Sequence, residues 1–418
     1  MKVAVFGKTL YAGVMAALLA ECGHHVYWCE NDQDIAYQPH YFQDGSVNQL
    51  LAQQVKSGFL SFCQFVALPL DIDVYLLSFR PTEEQLGLEL LSELQQRAII
   101  HPKLMINAST FGLHGTEKFR QILPQDEWIY LPDTIQEGNA LVSLTQAKQL
   151  IVGCSQDSAR LKIKELLRPL FPLEQNYLFM PILDAEFAKL SISGMLATRI
   201  SYINDLAVVA EKLGIDIEHV RQGMGADSRI GLSYLSPGAG FGGENFSHDI
   251  LTLANTVIHT GVKSQLLAQV WDINQQQKEL LFRKIWNYFQ GDLSGKTVAI
   301  WGAAFKENTS RIQQSPIHFM LEALWAQGVN VQLHDPQALP EIEAMYGPRD
   351  DLILCTEQYE ATQNAHALCL LTAWKQYWSP DYKRLLQSMQ HPFILDGRNI
   401  FDPMYVRAQG FAYKGVGR

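Results

Sequence analysis

The sequence predicts an α/β protein with two Rossmann-like doubly wound parallel-sheet domains joined by a central all-helical segment. An apolar strand at residues 3–6 runs into Gly7 and a helical pattern, and a strand at residues 297–302 starts the same alternation again. Between them, apolar residues from 185 to 213 recur at steps of three and four, which predicts a long helix. The expected domains are residues 1–180, 181–290 and 291–418.

Turns and apolar runs place the remaining elements in order. Further strands are expected at residues 26–29, 73–79, 104–107, 128–131 and 150–153, and then at 329–334, 367–371 and 392–395. Helical periodicity appears at residues 11–22, 249–259 and 315–327. This alternation of strand and helix favours parallel sheets in both halves.

Composition excludes several classes of partner. A net charge of -10 argues against nucleic acid and anionic membranes as partners. No run of 18 apolar residues suggests a membrane span, and we expect no signal peptide because Met1 leads directly into a strand. The six cysteines lack metal-binding spacing, so we expect no metal site and a reduced, cytoplasmic protein.

The first turn carries an altered dinucleotide fingerprint. Gly7, Thr9 and Ala12 occupy the three glycine positions of G-x-G-x-x-G. Alanine is tolerated at the third position, whereas a β-branched residue at the second crowds the approach of a pyrophosphate. Glu30 follows at the distance of the carboxylate that accepts from a ribose 2′-hydroxyl, which favours NAD over NADP. The alternative is a Rossmann-like fold that no longer holds its cofactor.

A glycine-rich loop at residues 236–249 is the strongest candidate site. Gly238, Gly240, Gly242 and Gly243 follow Pro237 within a few residues, so this segment is expected to bring its backbone close to another group. Such a loop, placed between two helical patterns, is a common location for ligand contacts. A tight connection between helices is the alternative.

The flanks of this loop resemble the signature of the UDP-glucose 6-dehydrogenase family of nucleotide-sugar dehydrogenases. The matching residues are Arg229, Ile230, Gly231, Tyr234, Leu235, Pro237, Gly238, Gly240, Phe241, Gly242, Gly243, Phe246 and Asp249. The position of the family's nucleophilic cysteine holds Asn245, and Glu244 precedes it where serine is usual. The resemblance implies that Arg229, Tyr234 and the four loop glycines bind a UDP-sugar.

Other segments carry the same resemblance. It assigns Thr110 to positioning water, Glu137 to a loop acid and Lys189 to the active-site lysine. Because Lys189 lies in an apolar run, we expect it to have a buried partner, for which Asp249 is the candidate. Lys306 and Arg398 match substrate-binding positions of the C-terminal nucleotide-sugar domain, whereas Gln313 replaces an arginine that reaches toward NAD. The central helix is the family's dimer core, and its small residues allow close packing, so a homodimer is expected.

The residues that differ from the family pattern lie at positions that the family uses for catalysis or for cofactor binding. Asn245, Ser193 and Ser247 alter the chemistry, and Thr9, Arg80 and Gln313 alter the cofactor side, so NAD binding is expected to be weak or lost. A carboxamide cannot form the thioester through which the family oxidises its sugar twice. Three interpretations stay open: a UDP-sugar-binding protein without the full activity, an active NAD-dependent dehydrogenase with modified chemistry or substrate, and a structural subunit that pairs with a catalytic homologue.

Overall fold

A computed structural model describes residues 1–30, 42–97 and 100–418, and the side chain of Glu30 is outside its description. The chain divides into two compact units, Met1–Ile192 and Ser193–Arg418. Each unit contains one sheet with helices, so the expected fold class, with two parallel-sheet domains and a central helical segment, is confirmed. The expected three-part domain division stays a prediction.

The first unit contains an eight-stranded sheet in the order β3-β2-β1-β4-β5-β6-β7-β8. Its strands are β1 (Lys2–Phe6), β2 (His25–Glu30), β3 (Leu60–Gln64), β4 (Val74–Leu77), β5 (Leu104–Asn107), β6 (Glu127–Tyr130), β7 (Leu150–Cys154) and β8 (Tyr177–Met180). All neighbouring pairs are parallel except β6 and β7, which are antiparallel. The order of the first six strands is that of a doubly wound dinucleotide-binding sheet.

Helices cover this sheet. They are α1 (Leu10–Glu21), α2 (Gly45–Ser57), α3 (Glu84–Gln95), α4 (Gly115–Ile122), α5 (Ala140–Thr145) and α6 (Asp157–Leu167), with short 3-10 turns at Phe65–Ala67, Pro81–Glu83 and Glu174–Asn176. Residues 11–20 of α1 are all buried, because this helix packs on the sheet on one side and against α2 on the other. Apolar side chains of β1 and β4 alternate between two buried clusters of this unit, as expected for a buried parallel sheet.

Helix α7 (Ile182–Leu213) contains the boundary between the units. The second unit has a six-stranded, all-parallel sheet in the order β11-β10-β9-β12-β13-β14. Its strands are β9 (Thr297–Trp301), β10 (Asn330–His334), β11 (Leu352–Leu354), β12 (Ala367–Leu370), β13 (Phe393–Asp396) and β14 (Ala412–Lys414). Its helices are α8 (Ile217–Ala226), α9 (Glu244–His259), α10 (Leu266–Tyr288), α11 (Pro316–Trp325), α12 (Leu339–Tyr346), α13 (Tyr382–Ser388) and α14 (Pro403–Ala408), with a 3-10 turn at Lys375–Tyr377.

The glycine-rich loop is shorter than the sequence indicated. Helix α9 begins at Glu244 rather than at Asp249, so the irregular segment ends at Gly243, which caps the helix with φ +93°. An acidic residue in the first turn interacts favourably with the helix dipole, and the side chain of Glu244 supplies that charge. Asn245 therefore lies in the first turn of a helix. Among the described residues, no helix is long and apolar enough to cross a membrane.

Candidate functional site

The turn between β1 and α1 requires glycine at its first position. Gly7 has φ +100°, and a Cβ atom there would lie 1.9 Å from the carbonyl oxygen of Ser78. The chain therefore passes directly over the end of β4, as the first glycine of a dinucleotide fingerprint does in a tight turn. The assignment of Gly7 to a cofactor site stays a prediction.

Thr9 uses its hydroxyl inside the protein. It is the N-cap of α1, and its Oγ1 accepts a hydrogen bond from the backbone N–H of Ala12 at 3.0 Å. The same Oγ1 lies 2.5 Å from the hydroxyl oxygen of Ser78. Helix N-terminal N–H groups are the donors that hold a pyrophosphate in this fold. Because Thr9 occupies one of these donors and adds a buried side chain to the turn, the residues here do not fit a dinucleotide pyrophosphate well.

Glu30 is the last residue of β2 and pairs with Gln64 of β3. Its backbone is therefore at the carboxyl edge of the sheet, where a ribose-binding acid is found in this fold. Its side chain lies outside the described residues.

The loop after β5 is held in place by a residue that the sequence did not single out. Thr110 is buried at the start of this loop. Further along, the carboxylate of Glu186 accepts hydrogen bonds from the backbone N–H groups of His114 at 2.7 Å and Thr116 at 2.9 Å. A carboxylate at a helix N-terminus is stabilised by the helix dipole, so Glu186 fixes the entry into α4. Glu186 could have been recognised from the sequence because it lies three residues before Lys189 on the same helix.

Two further residues of the first unit match family acids or bases. Glu137 is half-buried in a turn that the backbone N–H of Asn139 closes on the carbonyl of Gln136. Lys189 is half-buried on α7. The expected pairing of Lys189 with Asp249 stays a prediction, because these residues belong to different units.

In the second unit, the glycine-rich loop packs against the turn that precedes α11. The N–H of Gly243 donates to the carbonyl of Gln313 at 2.9 Å, and a Cβ atom on Gly242 would lie 2.6 Å from the carbonyl oxygen of Gln314. Gly240 has φ +94°, and a Cβ atom there would lie 2.8 Å from Asn274 Oδ1. Larger side chains do not fit at these positions without movement of the backbone. Close contacts with other parts of the protein therefore require glycine at these positions, whether or not the loop also contacts a ligand.

Polar side chains of α7 and α10 hold this loop, and the sequence pattern did not point to the two on α10. Asn204 Oδ1 accepts from the N–H of Gly238 at 2.9 Å, and Gln277 Nε2 donates to the carbonyl of Gly238 at 2.7 Å. Asn274 accepts from the N–H of Phe241 at 2.7 Å and donates to its carbonyl at 3.2 Å. The loop backbone is therefore fixed by side-chain amides, which reduces its freedom before any ligand arrives.

Arg398 joins the loop to the second sheet. Its Nε donates to the carbonyl of Leu371 at 2.5 Å, and its Nη2 donates to the carbonyl of Phe305 at 3.0 Å. A Cβ atom on Gly238 would lie 3.4 Å from Arg398 Nη1. Burial lowers the pKa of Arg398, although a guanidinium stays charged under ordinary conditions. Lys306 follows Phe305 directly, and its Nζ lies 5.7 Å from the centroid of the Phe305 ring.

The residue that matches the family's cysteine position lies at a helix N-terminus. Asn245 is half-buried in the first turn of α9. One turn later, Asp249 is fully buried, and its Oδ2 accepts a hydrogen bond from the hydroxyl of Ser193 at 2.6 Å. Ser193, one of the residues that depart from the family pattern, therefore donates to this carboxylate.

Arg229 and Tyr234 belong to the segment before the loop. The side chain of Arg229 is 86% exposed and forms a two-pronged ion pair with Asp227, at 3.0 Å from Nε and 2.7 Å from Nη2. This bond holds the pKa of Asp227 below its usual range. Tyr234 has φ +59° and is partly exposed. The structure thus brings together Gly238, Gly240, Gly242, Gly243, Lys306, Gln313 and Arg398, but not Arg229, which projects into solvent.

Two family models match the chain. The central domain of the UDP-glucose/GDP-mannose dehydrogenase family matches residues 183–276, and the UDP binding domain of that family matches residues 299–403. A UDP-glucose 6-dehydrogenase of Pseudomonas aeruginosa is 32% identical, and the match covers 100% of this chain and 98% of that protein. The chain belongs to the UDP-glucose/GDP-mannose dehydrogenase family. The resemblance inferred from the loop residues is confirmed.

Other members of the family agree with this assignment. The UDP-glucose 6-dehydrogenase TuaD of Bacillus subtilis is 30% identical over a match that covers 76% of this chain and 69% of that protein. A solved structure of a UDP-glucose dehydrogenase from Pyrobaculum islandicum superposes with a TM-score of 0.88, covering 100% of this chain and 97% of the other at 23% identity. This last similarity shows the shared fold. Among the described residues, no group of three or more side chains has the arrangement of a metal site.

Proposed function

We propose that this family member binds a UDP-sugar through its second unit and no longer completes the two-step, NAD-dependent oxidation of the sugar to a uronate. The observation that carries the proposal is the cluster of Arg398 and Lys306 beside the glycine-rich loop. The match of residues 299–403 to the family's UDP binding domain supports the same location.

The cluster has the chemistry that a nucleoside diphosphate requires. The positive charges of Arg398 and Lys306 pair with phosphate oxygens. Arg398 is held by two backbone carbonyls, so its guanidinium is positioned before a ligand binds. This arrangement favours a diphosphate over a neutral sugar as the recognised group.

The loss of the complete reaction follows from Asn245. Oxidation of a primary alcohol to a carboxylate removes four electrons in two hydride transfers, and a thiol that captures the intermediate aldehyde allows the second transfer to give a thioester, which water hydrolyses. The nitrogen lone pair of a carboxamide is delocalised, so Asn245 cannot take this role. The two cysteines of the second unit, Cys355 and Cys369, are buried, and burial raises the pKa of each thiol, that of Cys355 to about 11.

The cofactor side supports the same conclusion. NAD would accept the hydrides if it were bound, and its pyrophosphate would lie at the turn that contains Gly7 and Thr9. Thr9 already bonds to the N–H of Ala12 and to Ser78 at this turn. We therefore assign no chemical step to NAD in this chain.

Titration calorimetry with UDP-glucose tests the binding proposal, and NADH absorbance with product analysis tests the reaction. We expect binding without release of UDP-glucuronate. Lys306→Met should weaken UDP-glucose binding about 10-fold or more, because a charged hydrogen bond is lost. Lys375→Met, at an exposed lysine of the same unit, is the matched control and should bind normally. No heat at millimolar UDP-glucose, or uronate formed at an ordinary enzymatic rate, would contradict the proposal.

Two other functions predict different experimental results. The first hydride transfer does not need a thiol, so an enzyme that stops at the aldehyde would produce NADH and a sugar aldehyde without uronate. A structural subunit would instead form mixed dimers with an intact homologue. The retained Lys189 and the Ser193–Asp249 pair favour the aldehyde-forming enzyme as the second candidate.

We also propose that the protein is a homodimer through its central helix. Met195, Tyr202, Val209 and Leu213 are exposed on α7, and the first three are spaced by seven residues, which places them along one face of the helix. A continuous exposed apolar stripe indicates a protein interface. Light scattering should give about twice the chain mass of 47.2 kDa, and a monomer at micromolar concentration would contradict the proposal.

A further inference from the structure

A buried lysine lies directly beneath the glycine-rich loop. Lys278 is only 6% exposed and shares one face of α10 with Asn274 and Gln277, the two residues that hold the loop backbone. Its Cγ atom would lie 3.3 Å from a Cβ atom on Gly240. The stem of Lys278 is therefore packed under the loop.

The ammonium group of Lys278 has few partners for a buried charge. Among the described residues its one hydrogen-bond acceptor is Gln314 Oε1, at 3.3 Å, and its Nζ lies 5.9 Å from the centroid of the Trp271 ring. An ammonium has three N–H donors, and a buried charge without compensating acceptors is unfavourable. Lys284, on the same helix, shows the usual solution, because it pairs with Glu211 and also donates to the carbonyl of Gly415 at 2.8 Å.

The surroundings of Lys278 contain little that would neutralise it. Burial lowers its pKa to about 8, so the group is still mostly protonated at neutral pH. The titratable group that faces it from α11 is His318, whose pKa is lowered mainly by burial and in part by the charge of Lys278. The other groups packed around the side chain are Trp271 of α10, Gly240 of the loop and Gln314 of the preceding turn. Among the described residues, no carboxylate forms an ion pair with Lys278.

The ammonium group lies one side chain away from solvent. Its partner Gln314 is exposed and belongs to the turn that contacts Gly242 and Gly243. Lys278 Nζ therefore contacts an exposed side chain at the edge of the loop that carries the proposed UDP-sugar site.

We propose that Lys278 is an anion-binding residue, and that a ligand diphosphate replaces Gln314 as its acceptor. The proposal rests on the proposed function, because that function brings a diphosphate to this loop. Phosphate oxygens satisfy several ammonium donors at once and match the positive charge. UDP-sugars and NAD share this group, and the test separates them.

The decisive variant is Lys278→Met, which keeps the packed stem and removes the charge. Affinities for UDP, NAD and inorganic pyrophosphate are measured by titration calorimetry. We expect UDP to bind about 10- to 100-fold more weakly to the variant, as loss of a charged hydrogen bond implies. A loss confined to NAD would contradict the proposal, because the pyrophosphate of NAD is expected at the turn that contains Gly7 and Thr9. Arg283→Gln is the control, since it removes an exposed charge from the same helix.

Proton uptake separates ligand binding from a purely structural role. A phosphate that pairs with Lys278 raises the pKa of the ammonium, so the wild-type protein should take up protons when UDP is added near pH 8, and Lys278→Met should take up fewer. Calorimetry in buffers of different ionisation enthalpy measures this uptake. Lys278→Arg keeps the charge and should retain more affinity than Lys278→Met.

Thermal unfolding of each variant shows whether it is folded. If the wild-type protein binds UDP and folded Lys278→Met binds all three probes equally well, the inference is wrong and the proposed function stands. If the wild-type protein binds none of the probes, both are wrong.

Discussion

The hydroxyl of Ser193 donates a hydrogen bond to Asp249 Oδ2 at 2.6 Å, and both residues are buried. This bond joins α7 to α9, and Asp249 lies one helical turn after Asn245. A buried carboxylate needs donors, and Ser193 provides one here. The position of α9, and with it the position of Asn245, therefore depends on Ser193.

Ser193→Ala should destabilise the second unit. Removing the hydroxyl takes one hydrogen bond from a buried carboxylate, which costs about 1–3 kcal/mol in the free energy of unfolding. Urea unfolding followed by circular dichroism measures the change. Ser228→Ala, at an exposed serine, is the control and should stay within about 0.5 kcal/mol. Equal stabilities of the two variants would show that the Ser193–Asp249 bond contributes little.

Gly242→Ala should disrupt the loop. The new methyl group would lie 2.6 Å from the carbonyl oxygen of Gln314, which is backbone and cannot rotate away. We expect a loss of about 1–3 kcal/mol of stability and weaker binding of UDP-glucose. Gly223→Ala is the matched control, because no atom lies within 4 Å of its Cβ position and the residue is within α8. That control should be neutral or stabilise by about 0.5–1 kcal/mol.

Buried histidines should make the protein less stable in mild acid. Burial lowers the pKa of His334, whose Nδ1 lies 2.7 Å from the hydroxyl oxygen of Tyr377. The unfolded chain has a histidine pKa near 6.5, so below this pH it binds a proton that the folded protein does not. Stability is therefore fully present above about pH 6.5 and falls as the pH drops, by up to about 1.4 kcal/mol per unit from this residue.

His334→Gln should reduce this dependence. The difference between the free energies of unfolding at pH 7.5 and pH 5.5 should be smaller in the variant than in the wild-type protein. His259→Gln, at the exposed end of α9, is the control and should leave the difference unchanged. An unchanged difference in His334→Gln would mean that the pKa of His334 is the same in the folded and unfolded states.

The sequence was most informative where periodicity and glycine turns are strong. The strand β5 (Leu104–Asn107) was predicted at its observed bounds, and α7 was placed within three residues at its start. Both elements are apolar and end at clear turn signals. The antiparallel pairing of β6 with β7 was not predicted, because strand direction depends on the route of the chain between strands rather than on local residue pattern.

The sequence identified individual candidate residues of the site, but it did not show how they contact one another. Gly238, Lys306 and Arg398 were identified from the resemblance, and the structure brings them together. Asn274 and Lys278 were missed because a polar residue in an amphipathic helix is usually solvent-exposed, and nothing local shows that this helix face meets a loop. Contacts between distant segments require the fold.

Restoring the family cysteine should give NAD-dependent activity only when the family residues on the cofactor side are restored as well. Asn245→Cys supplies the nucleophile but leaves Thr9 bonded to the N–H of Ala12 at 3.0 Å, so it should give little NADH. Adding Thr9→Gly frees this donor and removes the β-branched side chain from the turn, and adding Gln313→Arg supplies a charge. Together, these two changes should tighten NAD binding about 100-fold or more.

Thr9→Ser in the Asn245→Cys background is the control, because it keeps the N-cap hydroxyl and should not restore NAD binding. The measurements are NADH absorbance with UDP-glucose, NAD affinity by calorimetry, and analysis of aldehyde and acid products. If Asn245→Cys alone reaches the rate of the triple variant, Thr9 does not obstruct the cofactor, and the missing thiol accounts for the whole loss.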